Sequence, residues 1–212
     1  MTTQLKSYWE KEYENTATQF DIERPDRWIE ELEQQSKIKG NILDSGCGPG
    51  RTALYLAKRG YHVIGVDISN NAIERAKEKA NSENLKNIVF QQADVTLFSD
   101  YHHYFDTIID IGCFHSLPQA TDQRNYSKML AQSCRKNARI YLRAFSDRNL
   151  ENKKHPKGVP AISRTEIENT FSLSYGWFIK QLEEKEIQLL VANGQHKKGY
   201  CWFAEIQKTS NN

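Results

Sequence analysis

Apolar runs with strand character alternate with amphipathic stretches along most of the chain. The runs that favour strands are "NILDSG", "YHVIGVD", "IVFQQAD", "YFDTIIDIG" and "ARIYLRAF". Each combines branched or aromatic residues over a length typical of a buried strand. Strands that alternate with helices are typical of a mostly parallel sheet, because each helix carries the chain back to the same edge. The pattern therefore predicts an α/β fold.

The stretches between these runs carry helical signals. Ala72, Ala76 and Ala80 share one helical face, which gives "NNAIERAKEKA" a narrow apolar side for close packing on the sheet. Ser163 and Glu166 have the spacing of a capping box, which predicts a short helix after Ser163. The chain then ends in two β-rich runs, "EIQLLVAN" and "GYCWFAEIQ", joined by the polar segment "GQHKKG". We expect these two runs to form a closing antiparallel hairpin.

Two segments lie outside this alternation. Residues 1 to about 36 are rich in aromatic side chains, and we predict that they form a helical cover before the first strand. Residues 146–162 are polar and are broken by Pro156, Gly158 and Pro160. Long loops of this kind often form lids over binding sites, although a plain surface excursion is the alternative. The remaining core extends over about 40–206, and we expect 1–212 to form a single domain.

Composition narrows the class of protein further. The 212 residues are 38% hydrophobic and 26% charged, and no run of about 18 apolar residues is present to span a bilayer. The first residues lack a secretory signal, so we expect a cytoplasmic location. The four cysteines form no C-x-x-C pair, and no H-E-x-x-H motif occurs, so we expect neither a metal site nor disulfides. A net charge of +2, with bases and acids interleaved, does not favour nucleic acid as a partner.

The turn after the first predicted strand holds the most informative motif, "DSGCGPG". A dinucleotide fingerprint of the form G-x-G-x-x-G would need glycine where Arg51 stands. The chain instead has G-x-G-x-G, formed by Gly46, Gly48 and Gly50. Bare backbone between a strand and a helix N-terminus favours close approach of a ligand. A hydride-transfer cofactor is disfavoured by the spacing, and an oxidoreductase is only a distant alternative.

Together with Asp44, this spacing resembles the D-x-G-x-G-x-G signature of class I S-adenosylmethionine-dependent methyltransferases. The resemblance implies a Rossmann-like fold with a mostly parallel seven-stranded sheet and S-adenosylmethionine as the cofactor. Asp67 ends the second strand, where an acidic side chain accepts hydrogen bonds from ribose hydroxyls. Asp94 matches the family's adenine-binding position, and "DIGCFHSLP" matches the segment that faces methionine and the acceptor. The predicted cofactor-binding residues are Asp44, Ser45, Gly46, Cys47, Gly48, Gly50, Asp67, Ile68, Asp94, Val95 and Asp110.

The acceptor is less clearly indicated. The segment after the fourth strand lacks the Pro-Pro-aromatic and Pro-Cys motifs of enzymes that methylate DNA bases. An aromatic cover and a lid-like loop suit a small molecule. The stretches "SYWEKEYENTATQFDIERPDRW", "IIDIGCFHSLP" and "LRAFSD" resemble the thiopurine, thiol and halide methyltransferase branch. That branch often has Trp where Phe20 stands, so sulfur, halide, oxygen and nitrogen acceptors all stay open.

His115 is the candidate catalytic residue, because neutral imidazole after the fourth strand can take a proton or orient an acceptor. The alternative for His115 is a loop histidine that is hydrogen-bonded locally. We do not expect Cys113 to act as a nucleophile, since methyl transfer needs no covalent enzyme intermediate. The predicted substrate-binding residues are Trp9, Phe20, Arg24, Trp28, Arg143 and Asp147. For these residues, plain packing or a solvated surface position is the alternative.

The sequence therefore predicts a methyltransferase that acts on a small molecule as a monomer or homodimer. A protein or RNA methyltransferase is an alternative, but it would require a larger recognition surface. A binding protein that keeps the cofactor pocket without catalysis is the other alternative.

Overall fold

The computed structural model describes residues 3–14, 24–152, 161–190 and 196–209. The strands are β1 Asn41–Ser45, β2 His62–Asp67, β3 Ile88–Gln92, β4 Phe105–Ile111, β5 Cys134–Phe145, β6 Trp177–Leu190 and β7 His196–Lys208. The helices are α1 Thr3–Glu12, α2 Arg27–Gln34, α3 Arg51–Ala57, α4 Asn70–Ser82, α5 Ala120–Ser133 and α6 Arg164–Thr170. Short 3₁₀ turns span Phe114–Ser116, Asp147–Asn152 and Leu173–Tyr175.

The strands form one seven-stranded sheet in the order β3-β2-β1-β4-β5-β7-β6. Strands β1 to β5 are parallel, whereas β7 is antiparallel to both β5 and β6. The predicted Rossmann-like α/β fold and its closing antiparallel hairpin are confirmed. Because the strand order reverses between β1 and β4, a crevice opens at their carboxyl ends, where such sheets bind ligands.

Apolar residues bury both faces of this sheet. Ile42 and Tyr141 belong to the cluster on the face covered by α2, α3 and α4. Leu43 and Ile140, each one position away along its strand, belong to the opposite cluster, which α5 and α6 cover. Neighbouring strand residues point to opposite faces, so near-continuous apolar strands are what a sheet covered on both sides requires.

Local signals place the helices as the sequence predicts. Ala72, Ala76 and Ala80 are buried on the side of α4 that packs on the sheet. At the start of α6 the Ser163 hydroxyl accepts a hydrogen bond from the backbone N–H of Glu166 at 3.2 Å. The Glu166 carboxylate in turn accepts from the Ser163 N–H at 2.8 Å, which completes the capping box.

Strand β6 begins earlier than the sequence predicts. It starts at Trp177, well before "EIQLLVAN", and its first half includes the polar run "KQLEEKE". This strand lies at the sheet edge and pairs with β7, so its charged side chains face water. These side chains obscure the alternation of apolar and polar residues by which a strand is predicted from sequence. The predicted helical cover and the predicted lid are each described in part: α1 and α2 belong to the cover before β1, and 146–152 and 161–162 belong to the lid segment. Within the described ranges, no helix is long and apolar enough to cross a membrane.

Candidate active site

A cavity lies at the carboxyl ends of β1, β2, β4 and β5, beneath helix α1. Its empty volume is about 930 Å³, counted with its open mouth. The cofactor-side lining includes Gly46, Arg51, Asp67, Ile68 and Val95. The other walls include Trp9, Ile111, His115, Leu117, Arg143 and Phe145.

Asp67 is held rigidly at the end of β2. One carboxylate oxygen accepts from the Gly48 N–H and the other from the Ser69 N–H, each at 2.9 Å. The side chain lines the cavity although only 6% of the residue is exposed. Burial raises the pKa of Asp67 to about 6. Each carboxylate oxygen has a further lone pair, so this group can accept hydrogen bonds from vicinal ligand hydroxyls.

The glycine loop brings bare backbone to the cavity wall. Gly46 has a φ of +66°, and a Cβ there would lie 2.7 Å from the Cβ of Cys113. Gly48 has a φ of +53°, and a Cβ there would lie 2.9 Å from the Tyr13 hydroxyl. Both positions combine a left-handed conformation with a space too small for a side chain. The third glycine of the motif, Gly50, caps the N-terminus of α3.

Asp44, Ser45 and Cys47 support this loop from below and do not line the cavity. Asp44 is buried, and its carboxylate accepts from the Ala53 N–H in the first turn of α3 at 3.0 Å. Burial raises the pKa of Asp44 to about 7, although the bond from Ala53 acts in the opposite direction. All three residues lie in the scaffold beneath the loop, and their direct contact with the cofactor stays a prediction.

Asp110 also faces away from the cavity. It is fully buried, and its carboxylate accepts from the backbone N–H groups of Cys113 at 2.9 Å and of Phe114 at 3.1 Å. The Tyr126 hydroxyl donates to the same carboxylate at 2.8 Å. This carboxylate therefore closes the turn that presents His115, and direct contact between Asp110 and the cofactor stays a prediction.

The predicted adenine side is formed by Ile68 and Val95, which both line the cavity. Asp94 is half-buried beside Val95, outside the lining, and closes its own turn. Its carboxylate accepts from the Thr96 N–H at 2.8 Å and from the Thr96 hydroxyl at 2.7 Å. The apolar surfaces of Ile68 and Val95 suit a flat ring, and Asp94 lies next to them.

His115 lines the wall where β4 and β5 end. Its Nδ1 accepts a hydrogen bond from the Phe145 N–H at 3.3 Å, and the two rings lie 4.9 Å apart. Because Nδ1 is the acceptor in this bond, the neutral imidazole carries its proton on Nε2. His115 then acts as a donor rather than as a proton acceptor. This geometry favours the orienting role over the role of a base.

Arg51 is a site residue that our sequence analysis used only to exclude a different motif. It begins α3 and lines the cavity beside Gly46. Burial lowers the pKa of the guanidinium, against the opposing effect of the Asp44 carboxylate. Within the described part of the chain, no carboxylate lies close enough to form an ion pair with Arg51. The sequence feature that could have identified Arg51 as a site residue is its position directly after Gly50, the last glycine of the motif.

Helix α1 forms the roof of the cavity. Leu5, Trp9 and Tyr13 follow one another at helical spacing and line it, with the Trp9 and Tyr13 rings stacked at 5.9 Å. Glu10, which follows Trp9 in the sequence, contacts the start of α4. Its carboxylate accepts hydrogen bonds from the Asn71 N–H at 3.3 Å and from the Ser69 hydroxyl. This contact joins the roof to the N-terminus of α4, next to Asp67. Trp9 therefore lies where the aromatic cover was expected to meet a ligand.

Arg143 reaches the cavity from β5, but Asp26 pairs with it. One Asp26 oxygen forms an ion pair with the Arg143 guanidinium, and the other accepts from the Trp28 N–H at 3.0 Å as the N-cap of α2. Trp28 itself packs edge-to-face on Phe203, with ring centres 5.0 Å apart, in a separate groove. The Trp28 ring thus packs against the sheet outside the cavity lining, and its contact with substrate stays a prediction.

Arg24 and Asp147 are likewise absent from the cavity lining. Both residues are exposed, and Asp147 begins the 3₁₀ turn after β5. Their side chains are in solvent, and their role in substrate binding stays a prediction. Phe20, the remaining predicted contact, lies outside the described residues. No group of three or more metal-binding side chains occurs among the residues that the structure describes.

A glycine loop, an anchored acid at the end of β2 and a cavity beside them are typical of Rossmann-like proteins that bind a nucleoside cofactor. A family model for a methyltransferase domain matches residues 42–137. An uncharacterized methyltransferase of Schizosaccharomyces pombe is 44% identical over 118 residues, which are 56% of this chain and 80% of that protein. The chain therefore belongs to the class I S-adenosylmethionine-dependent methyltransferases, and S-adenosylmethionine is its cofactor.

Two further similarities concern proteins with a described chemistry. The 2-heptyl-1-hydroxyquinolin-4(1H)-one methyltransferase of Mycobacteroides abscessus is 39% identical over 125 residues, which are 56% of this chain and 55% of that protein. A solved structure from work on the conversion of a disulfide bond into a thioacetal group during echinomycin biosynthesis is 27% identical, with a TM-score of 0.83. That similarity covers 99% of this chain and 93% of the solved chain.

Proposed function

We propose that this methyltransferase acts on a small molecule with an apolar body. The observation that carries the proposal is the single cavity in which the cofactor residues Asp67 and Gly46 face an apolar wall. Trp9 above and Leu117 and Phe145 beside it would surround an acceptor on several sides. A site of this shape suits enclosure of a compact molecule and offers little room for a folded macromolecule.

The residues present fit the cofactor. We assign the ribose hydroxyls to the Asp67 carboxylate and the methionine carboxylate to the Arg51 guanidinium, which matches carboxylates with paired N–H donors. The bare backbone at Gly46 would lie along the methionine part, and Ile68 and Val95 would flank the adenine. When bound, the cofactor supplies an electrophilic methyl group on sulfur, and the electron pair of the broken carbon–sulfur bond stays on that sulfur.

The acceptor side needs orientation and exclusion of water. The roof residues Trp9 and Tyr13 cover the site, and aromatic faces also suit the positive charge of a sulfonium. His115 donates a hydrogen bond from Nε2 to the acceptor and so aligns its lone pair with the methyl group. Holding the reacting atoms close and aligned accounts for a large part of catalysis in such transfers.

The acceptors that we favour reach the site already ionised, as thiolates or acidic hydroxyls do. They need orientation but no proton removal, which agrees with the proton on Nε2 of His115. The relative from Mycobacteroides abscessus is named for a hydroxyquinolone, and the similar solved structure concerns a thioacetal group. Both descriptions support a small organic acceptor with an acidic oxygen or a sulfur.

The test is formation of S-adenosylhomocysteine by the purified protein. The acceptors to compare are aromatic and aliphatic thiols, hydroxyquinolones, phenols, halides and amines, with an acceptor-free control. We expect turnover with thiols or acidic hydroxyls and its loss in Asp67→Asn. Product with RNA or protein substrates alone would refute a small-molecule acceptor. Tight cofactor binding without any product would favour a protein that only binds the cofactor.

A further inference from the structure

Arg143 places a positive charge in the acceptor-side wall of the cavity. It lies on β5 between Ile111 of β4 and Phe203 of β7. Phe145 is two positions further along the same strand, on the same face, and contacts the ring of His115. The guanidinium therefore belongs to the wall that also holds the group that orients the acceptor. An unpaired guanidinium in such a wall would attract a carboxylate.

Asp26 balances this charge from the N-terminal cover. Its carboxylate pairs with the Arg143 guanidinium, and the exposed fractions of the two side chains are only 10% for Asp26 and 23% for Arg143. The same carboxylate caps α2 through the Trp28 N–H. The pair is therefore held in place from both sides, by the sheet and by a helix N-terminus. Little solvent reaches the pair to screen its charges.

We propose that Asp26 is a specificity-determining residue. It selects acceptors that carry no negative charge on the part of the molecule away from the reacting atom. This inference rests on the proposed small-molecule activity. A carboxylate on the acceptor would have to leave water and lie beside the Asp26 carboxylate, and both effects oppose binding. An uncharged aromatic or alkyl body meets neither penalty. With the charge of Asp26 removed, Arg143 would pair with the carboxylate of the acceptor instead.

The variant that isolates this effect is Asp26→Asn. Asparagine caps helices as well as aspartate does, so α2 keeps its N-cap while the negative charge is lost. The acceptor pair is thiophenol and para-mercaptobenzoate, which differ by one carboxylate. Calorimetry with the protein saturated by S-adenosylhomocysteine gives both affinities without any turnover. The ratio of kcat/KM values for the two thiols gives the same comparison during catalysis.

We expect Asp26→Asn to shift both ratios toward para-mercaptobenzoate by about tenfold, the change that one ion pair of about 1.4 kcal/mol produces. The double variant Asp26→Asn, Arg143→Gln should lose this shift, because the cation that attracts the carboxylate is gone. Glu168→Gln is the matched control, since it removes one negative charge from the exposed pair with Arg164. Thermal unfolding of each variant shows that it is folded.

An unchanged affinity ratio in folded Asp26→Asn would overturn the inference, as would an equal shift in Glu168→Gln. A shift that persists in the double variant would also overturn it, because Arg143 would then not be its source. Failure of the proposed function has a different signature. In that case neither thiol is methylated by the wild-type protein, while the affinity ratio still reports on Asp26 and Arg143.

Discussion

Replacing Asp67 by Asn is expected to weaken binding of S-adenosylhomocysteine by about 30- to 150-fold. The Asp67 carboxylate accepts two backbone bonds at 2.9 Å and lines the cavity. An asparagine has one acceptor oxygen, so its amide NH₂ must face either a backbone N–H or a ribose hydroxyl that donates. A hydrogen bond to a charged group contributes about 1.5–3 kcal/mol. Loss of one such bond together with the charge costs about 2–3 kcal/mol of binding free energy. This loss corresponds to the expected increase in Kd of about 30- to 150-fold.

Isothermal titration calorimetry with S-adenosylhomocysteine measures this change directly. Asp100→Asn is the matched control, because Asp100 is exposed and lies outside the cavity lining. Thermal unfolding in the absence of ligand shows whether each variant keeps its fold. A Kd for folded Asp67→Asn within about twofold of the wild-type value would refute the assignment of the ribose to this carboxylate. An equal loss in Asp100→Asn would refute it as well.

Three further predictions concern separate parts of the site. His115→Leu should lower kcat/KM for a thiol by about tenfold, whereas His115→Gln, which keeps a hydrogen-bond donor, should lower it less. A pH–rate inflection that does not move with the pKa of the acceptor would contradict this role. Glu10→Ala should weaken S-adenosylhomocysteine binding by about three- to tenfold by loosening α1 from α4, and unchanged calorimetry would contradict it. The pKa of Asp44 is raised from 3.8 to about 7, which predicts that the free energy of unfolding falls as pH rises between these two values. Denaturant titrations should show a smaller fall in Asp44→Asn, and an identical pH dependence would count against it.

The sign of the last effect follows from the protonation states. Burial favours the neutral form of Asp44 in the folded protein, whereas the unfolded chain ionises near the ordinary value of 3.8. The stabilisation from a protonated Asp44 is therefore fully present below that value and is lost as pH rises to about 7. Asp67 and Asp110, with pKa values raised by burial to about 6, act in the same direction. The variant thus removes one of three contributions.

The sequence predicts well those parts of the site that depend on backbone position. Gly46 and Asp67 are set by a turn and by a strand end, and both line the cavity at the crevice that parallel sheets form. A motif states where along a strand a residue stands but not where its side chain points. Asp110 shows the difference, because an acid that binds its own turn has the same sequence context as one that binds a ligand.

Contacts between distant segments leave no local signal. Asp26 and Arg143 are 117 positions apart in the sequence, and neither belongs to a pattern that predicts the other. Trp28 is an aromatic residue of the predicted cover, but only the packing of α2 on Tyr141 and Phe203 decides which way its ring faces. The tautomer of His115 similarly depends on a backbone N–H from β5, 30 positions away.

The most direct test of the central claim follows the methyl group itself. The purified protein is incubated with S-adenosylmethionine that carries a trideuterated methyl group and with thiophenol, and the products are resolved by mass spectrometry. The structure predicts the trideuteromethyl thioether together with an equal amount of S-adenosylhomocysteine, with both reduced in parallel in Asp67→Asn. The same incubation is repeated with the other thiols and with hydroxyquinolones. If none of these acceptors gains the label although the cofactor binds tightly, the account is contradicted.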